Sequence, residues 1–249
     1  MGRSGAAGAV VRSMLAATYA CDDADFLRDG VIFTTPEERP GRIRRPLRKL
    51  LIGTTGDGVI VCRDPEWEEW LRPLLADCTR DTAFWPDVVA QIVPHVPEDL
   101  QFRGPALMYV CDRESFRPTW GVKDEITVLH DREIHDLYGY PGFNDAMTYG
   151  ADAPITDRVA AVAWRAGEVI GIAGASDDAE TMWQIGVSVA STHQRRGVGR
   201  ALVSRVTEEV LRAGMLPYYS TTTANIRSRA VAVSLGYWPA WTELYVRKR

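Results

Sequence analysis

Cysteine is scarce in this chain of 249 residues: Cys21, Cys62, Cys78 and Cys111 are widely spread, and no Cys-x-x-Cys occurs. That argues against a disulfide scaffold or a thiolate metal site, and reduced cytoplasmic thiols are expected. Histidine is equally scarce, at four residues. His130 and His135 stand five apart, which is no zinc spacing, and no third ligand is near, so no metal is expected. No apolar run approaches the ~20 residues of a membrane span. Arg12 interrupts the apolar stretch in residues 1–20, and Ala6 breaks a myristoylation pattern, so neither a leader nor a membrane anchor is expected. An excess of positive charge is missing too. Lys and Arg number 29 against 33 Asp and Glu, a net charge of −4, which argues against nucleic acid as the main partner. The Walker pattern and the full G-x-G-x-x-G fingerprint are both absent.

What is present is a globular composition, 46% hydrophobic and 25% charged, and one informative stretch. Residues 194–200 read Gln-Arg-Arg-Gly-Val-Gly-Arg. A strand-like run, 183–190, precedes them, and a helical run, 198–213, follows. A helix start offers first-turn N–H groups with no partner inside the helix, and the helix dipole adds roughly half a positive charge there. Arg195, Arg196 and Arg200 add mobile charge, while Gly197 and Gly199 carry no side chain to hold an anion off the backbone. These are the parts of a pyrophosphate cradle.

The spacing Gln-x-x-Gly-x-Gly, with Val189 five residues before Gln194, resembles the acyl-CoA loop of the GNAT N-acetyltransferase superfamily. The resemblance continues downstream, where Asn225-x-x-Ser228 opens a helix that ends in Leu235-Gly236-Tyr237. It covers about residues 125–249. It implies that acetyl-CoA is the cosubstrate. Gln194, Arg195, Arg196, Gly197, Val198, Gly199 and Arg200 would meet its pyrophosphate, while Val187, Val189 and Asn225 would meet the pantetheine arm. The family's splayed strands would be 184–190 and 216–223. Gly186 is a candidate bulge turning an N–H toward the thioester carbonyl, and His193 would pack beside the cofactor.

The fold class expected is mixed α/β (α+β): a mostly antiparallel GNAT-type sheet flanked by helices, with a smaller N-terminal α/β domain. The expected division is 1–115 and 116–249. In the first part, spacing predicts a helix over 7–28 and a short strand at Val31–Phe33. A basic segment, 39–49, follows with six positive charges in eleven residues. A solvated loop, the coenzyme 3′-phosphate and an acidic acceptor all remain open for it. Residues 47–62 read as a hairpin about Thr55-Gly-Asp-Gly58, Asp64-Pro65 starts a helix faced by Trp67, Trp70, Leu71, Leu74 and Leu75, and a second helix runs 81–93. Residues 94–104 read as connection and 107–111 as a strand. In the second part come a strand at 126–129, a helix start at 131–137, a loop to 153, and a meander at 158–164, 169–175 and 182–189.

The catalytic groups are less legible. An alkyl ammonium has a pKa near ~10.4 and must lose a proton before it attacks. Where some family members place a Glu base, this chain has Trp183, and where they place a Tyr acid it has Ala232. Gln184, orienting a water, and Glu180 are the candidate catalytic residues; Tyr218, Tyr219, Tyr237 and Tyr245 stand near the missing acid without matching its position. Asp177, Asp178 and Glu180, with Asp152 and Asp157 not far along the chain, read either as a solvated turn or as an acidic rim for a cationic acceptor. The expected function is acetyl transfer from acetyl-CoA to a primary amine on a small molecule or peptide. The other reading is an acyl-CoA-binding sensor or scaffold. The N-terminal domain is expected to shape the acceptor side or to pair two chains as a homodimer.

Overall fold

The computed structural model describes residues 5–119, 121–147 and 156–249. The end of the expected loop to 153, with Asp152, lies outside them. The chain divides into two compact units: residues 1–108 together with 240–249, and residues 109–239.

In the first unit, helix α1 (Ala6–Tyr19) precedes strands β1 (Val31–Thr34), β2 (Leu50–Thr54) and β3 (Val59–Arg63). Helices α2 (Glu68–Leu75) and α3 (Pro86–Ile92) then lead to β4 (Leu100–Val110), and β10 (Trp238–Lys248) returns at the chain's end. Their order in the sheet is β1-β3-β2-β10-β4. Strands β2 and β3 form the expected hairpin, and both are buried at every position, so cover is needed on both faces. Trp67, Leu71 and Leu75 pack against Leu50, Ile52, Val59 and Val61 to form this unit's core.

In the second unit, β5 (Glu125–His130), β6 (Asp157–Arg165), β7 (Glu168–Ser176), β8 (Met182–Val189) and β9 (Leu216–Thr222) lie in the order β9-β8-β7-β6-β5. Every pairing among them is antiparallel except β8–β9, which is parallel. Helix α4 (Val198–Arg212) lays Val198, Leu202, Val206 and Val210 on one face of this sheet, the four-residue spacing of a buried stripe. On the other face Ile134, Leu137, Phe143 and Ala146 pack against Ala160, Val162 and Ile172. Helix α5 (Ile226–Ser234) follows β9. The architecture is mixed α/β, a mostly antiparallel sheet flanked by helices. No helix among the described residues is long and apolar enough to cross a membrane.

Several local expectations change. The helix expected to reach residue 28 stops at Tyr19, because Ala20 turns left-handed and Asp22 and Asp25 cap a separate 3-10 turn, Asp23–Leu27. The 81–93 helix is divided at Pro86, which starts α3 after a 3-10 turn. Residues 131–137 are 3-10 as well. Strand β4 begins at Leu100, inside the stretch read as connection; Gly104 and Pro105 lie within it. The last strand falls with the N-terminal unit: Thr242 to Tyr245 pair antiparallel with Thr54 to Leu51. In the basic segment, Arg39 and Arg42 pair with Glu37 and Glu38, and Arg48 lies 3.8 Å over the Tyr245 ring.

Candidate active site

The site begins where two strands part. Parallel pairing of β8 with β9 runs from Met182↔Leu216 to Ile185↔Tyr219 and goes no further. On its other edge β8 stays paired with β7 as far as Val189. Residues 186–189 therefore have β7 on one side and open space on the other. That space widens into a cleft of about 520 Å³, within the size range of small-ligand sites.

Each wall has a local cause. After β8, a 3-10 turn at Ser191–His193 leads into Arg195 and Gly197, both left-handed, with φ of 62° and 85°. Glycine adopts that conformation without cost; for Arg195 it is strain of about 1–3 kcal/mol held at the turn before α4. The two reversals present the start of α4 to the cleft. Gly197 is its N-cap and offers no side-chain cap, so the first-turn N–H groups remain available to an anion. Arg195 and Arg200 line the cleft, and Arg195 and Arg196 have no carboxylate partner among the described residues. Across the cleft, Asn225 caps α5 by accepting from the Ser228 N–H at 3.2 Å. Arg227 donates to the Gln194 Oε1 at 3.2 Å, and the Gln194 amide donates to the Val189 carbonyl at 3.2 Å, which ties α5 across the turn to β8. Tyr219 points into the same space, its hydroxyl 2.7 Å from the Ser228 hydroxyl. Burial raises the Tyr219 pKa, and the Ser228 hydrogen bond partly offsets the rise, so the phenol holds its proton at neutral pH.

Residues 122–237 match the acetyltransferase (GNAT) family. They form a GNAT acetyltransferase domain. Similar solved structures include a GCN5-related N-acetyltransferase from Kribbella flavida, 17% identical, with a TM-score of 0.45 over 66% of this chain and 64% of that one. A GCN5-related N-acetyltransferase-like protein from Streptococcus suis is 12% identical, with a TM-score of 0.46 over 66% and 68%. A Salmonella typhimurium protein with its cofactor acetyl-CoA is 23% identical, with a TM-score of 0.31 over 36% and 64%. This chain thus spans about two thirds of the length of each. No curated protein matches it.

Within the GNAT domain, Val187, Val189, Gln194, Arg195, Gly197, Gly199, Arg200 and Asn225 all line the one cleft. Two residues of the expected set do not. Val198 is buried in the core beneath α4, and Arg196 is exposed outside the lining. Arg227, Ser228 and Tyr219 line the cleft and were not singled out for it in the sequence. The bulge expected at Gly186 is absent: β7–β8 register runs through Gly174↔Gly186 without a shift. Gly186 has a different reason to be glycine. A Cβ there would collide with the Asp145 carbonyl oxygen.

Of the two expected catalytic residues, only Gln184 lies on β8, on the face opposite the cleft. Gln184 is half-buried and accepts from the Tyr218 hydroxyl at 3.2 Å. Glu180 lies exposed in the β7–β8 turn, outside this group. Of the neighbouring acids, Asp177 and Asp178 are buried and not solvated. Asp177 is buried and accepts from Arg158 at 2.8 Å and from the Thr156 N–H at 2.9 Å. Asp178 is fully buried, accepting from Ser176 at 2.6 Å and Tyr218 at 2.9 Å. Ala232, at the family's tyrosine position, is fully buried too. Among the described residues no cluster of His, Cys, Asp and Glu could hold a metal.

Proposed function

We propose that this protein transfers an acetyl group from acetyl-CoA to a primary amine. The observation that carries the reading is the cleft between the parted strands, ended by an uncapped helix start and lined by Arg200 and by Arg195, which has no carboxylate partner among the described residues. A diphosphate fits such a cradle because N–H groups, helix dipole and guanidinium charge all favour a concentrated negative charge. The side of β8 that lacks a strand partner suits the amides of an extended pantetheine arm, bound as an added strand would be. Acetyl-CoA supplies the acyl group activated as a thioester. The protein's part is to align it with an amine, and alignment alone can provide about 7–11 kcal/mol in favourable cases. Tyr219 holds a proton at Oη inside the cleft, backed by Ser228, and is the group placed to protonate a leaving thiolate.

Thiol release from acetyl-CoA, followed with a panel of amines and lysine peptides, tests the proposal. Amine-dependent release accompanied by N-acetylated product is expected. Tight acetyl-CoA binding with no acetylated product would replace the enzyme reading with that of a sensor.

A further inference from the structure

Strand alternation divides the residues at the β8–β9 junction between two faces. Val187 and Val189 lie toward α4, where Val189 would touch a Cβ placed on Gly199. Gly186 lies toward the opposite face, against the Asp145 and Ala146 carbonyls. Gln184 shares the parity of Gly186, and its register partner Tyr218 shares its face. Tyr219, one residue on, falls on the α4 side and lines the cleft. Tyr218 thus comes at the junction from the side opposite the cleft. Behind its hydroxyl stands Asp178, with no exposed surface, reached at 2.9 Å and braced by Ser176 at 2.6 Å. In front of it, at 3.2 Å, is the half-buried Gln184.

We propose that Gln184, Tyr218 and Asp178 form the proton path for the acceptor amine, with Asp178 as its terminal carboxylate. The inference rests on the acetyl-transfer reading and assigns to it the amine side of the junction. A primary amine at Gln184 and the Tyr218 oxygen sits one hydroxyl away from a buried negative charge. As the nitrogen lone pair enters the new C–N bond and the C–S bond breaks, the nitrogen's remaining protons become more acidic than those of the free amine. One N–H bond then breaks toward the Tyr218 oxygen while the Tyr218 proton moves to Asp178 Oδ2. Tyr218 ends unchanged, Asp178 ends as a carboxylic acid, and the product is a neutral amide. Asp178 later returns its proton to solvent by the same path, while Tyr219 serves the thiolate on the cleft side. The consecutive tyrosines thereby divide base and acid between the two faces of one strand.

The same arrangement selects a class of acceptor. A carboxylate so close to the amine favours a cation, so strongly basic amines are preferred over weakly basic ones; they arrive as ammonium ions, whose first proton leaves by the same path to solvent before the lone pair attacks. Asp177 does not compete for this role, because Arg158 already bonds it and also lies 3.7 Å from Asp131.

The test uses the full chain, acetyl-CoA, and four acceptors: n-butylamine, spermidine, a lysine peptide and the weakly basic methoxyamine. Asp178→Asn and Tyr218→Phe nearly preserve side-chain shape, and a thermal melt checks that each remains folded. Each is expected to lower kcat for the basic amines at least a hundredfold and for methoxyamine less than tenfold, with acetyl-CoA affinity within twofold of wild type. A second readout is calorimetric titration of the protein–CoA complex with the best amine, where Asp178→Asn is expected to weaken binding at least tenfold. Equal losses for basic and weakly basic amines, or no loss, would overturn the path while leaving acetyl transfer intact. A wild type that binds acetyl-CoA and acetylates none of the four would overturn the transfer reading and the path with it. If Asp178→Asn does not fold, Tyr218→Phe decides by the same comparison of amines.

Discussion

Tyr218 and Tyr219 are neighbours in sequence, yet one bonds a buried aspartate and the other opens on a cleft. Sequence spacing placed four tyrosines near the missing acid, and the fold sorts them. Tyr237 is buried against the Thr207 hydroxyl at 2.6 Å, and Tyr245 lies in β10 beneath Arg48. Only Tyr219 of the four lines the cleft. Replacing it with phenylalanine keeps the ring and removes the proton. Tyr219→Phe is expected to leave acetyl-CoA affinity within twofold and to reduce kcat by about 10²–10⁴, the usual range for a lost acid–base group. Steady-state kinetics beside calorimetry check this, and wild-type kcat would mean that the thiolate takes its proton elsewhere. Asp178 was not legible for a physical reason. Three acids on a short turn resemble a solvated surface until Arg158 and Tyr218, remote in sequence, arrive to bury two of them.

At the scale of elements, the readable parts were those with local causes. The meander and α4 follow from apolar periodicity, the α5 start from Asn225, and the turn between β8 and α4 from its glycines. β4 was missed at its start because Gly104 and Pro105 signal a break, and both sit within a strand held by its neighbours. Assignment of the last strand to the N-terminal unit depends on Thr242–Tyr245 pairing with Leu51–Thr54, a long-range choice that no local pattern announces. Gly186 shows how an element can depend on a distant segment. A Cβ would clash with the Asp145 carbonyl and press on that of Ala146, and a carbonyl held by its own backbone cannot retreat cheaply. Gly186→Ala is expected to destabilise the protein by about 1–3 kcal/mol through overpacking. Urea denaturation measures this directly, and an unchanged midpoint would show that the segment gives way.

Across the whole molecule, burial links stability to alkaline pH. Burial, reinforced by Asp25, pushes the Cys21 thiol up from 9.0 to about 12. Tyr19 and Tyr237 are raised above 10.0 by burial as well. In the unfolded chain these groups ionise at their ordinary values, so above about pH 9 it loses protons that the folded state keeps. Their contribution is complete below about pH 9 and is lost as pH rises toward about 12. Urea midpoints should therefore decline through that window, and a flat profile would contradict the burial of these groups.

Every residue lining the cleft belongs to the unit 109–239, and the account stands on what that cleft holds. Gly199 offers the most direct probe. A Cβ there would meet Val189 at 3.4 Å, ordinary contact, so a side chain can be added without breaking α4. Gly199→Asp would place a carboxylate where the first-turn N–H groups and Arg195 and Arg200 are proposed to receive the pyrophosphate. Calorimetric titration of acetyl-CoA into wild type and the folded variant should show binding weakened at least tenfold, about 1.4 kcal/mol. Equal affinity in the two proteins would contradict the assignment of this cleft to coenzyme A.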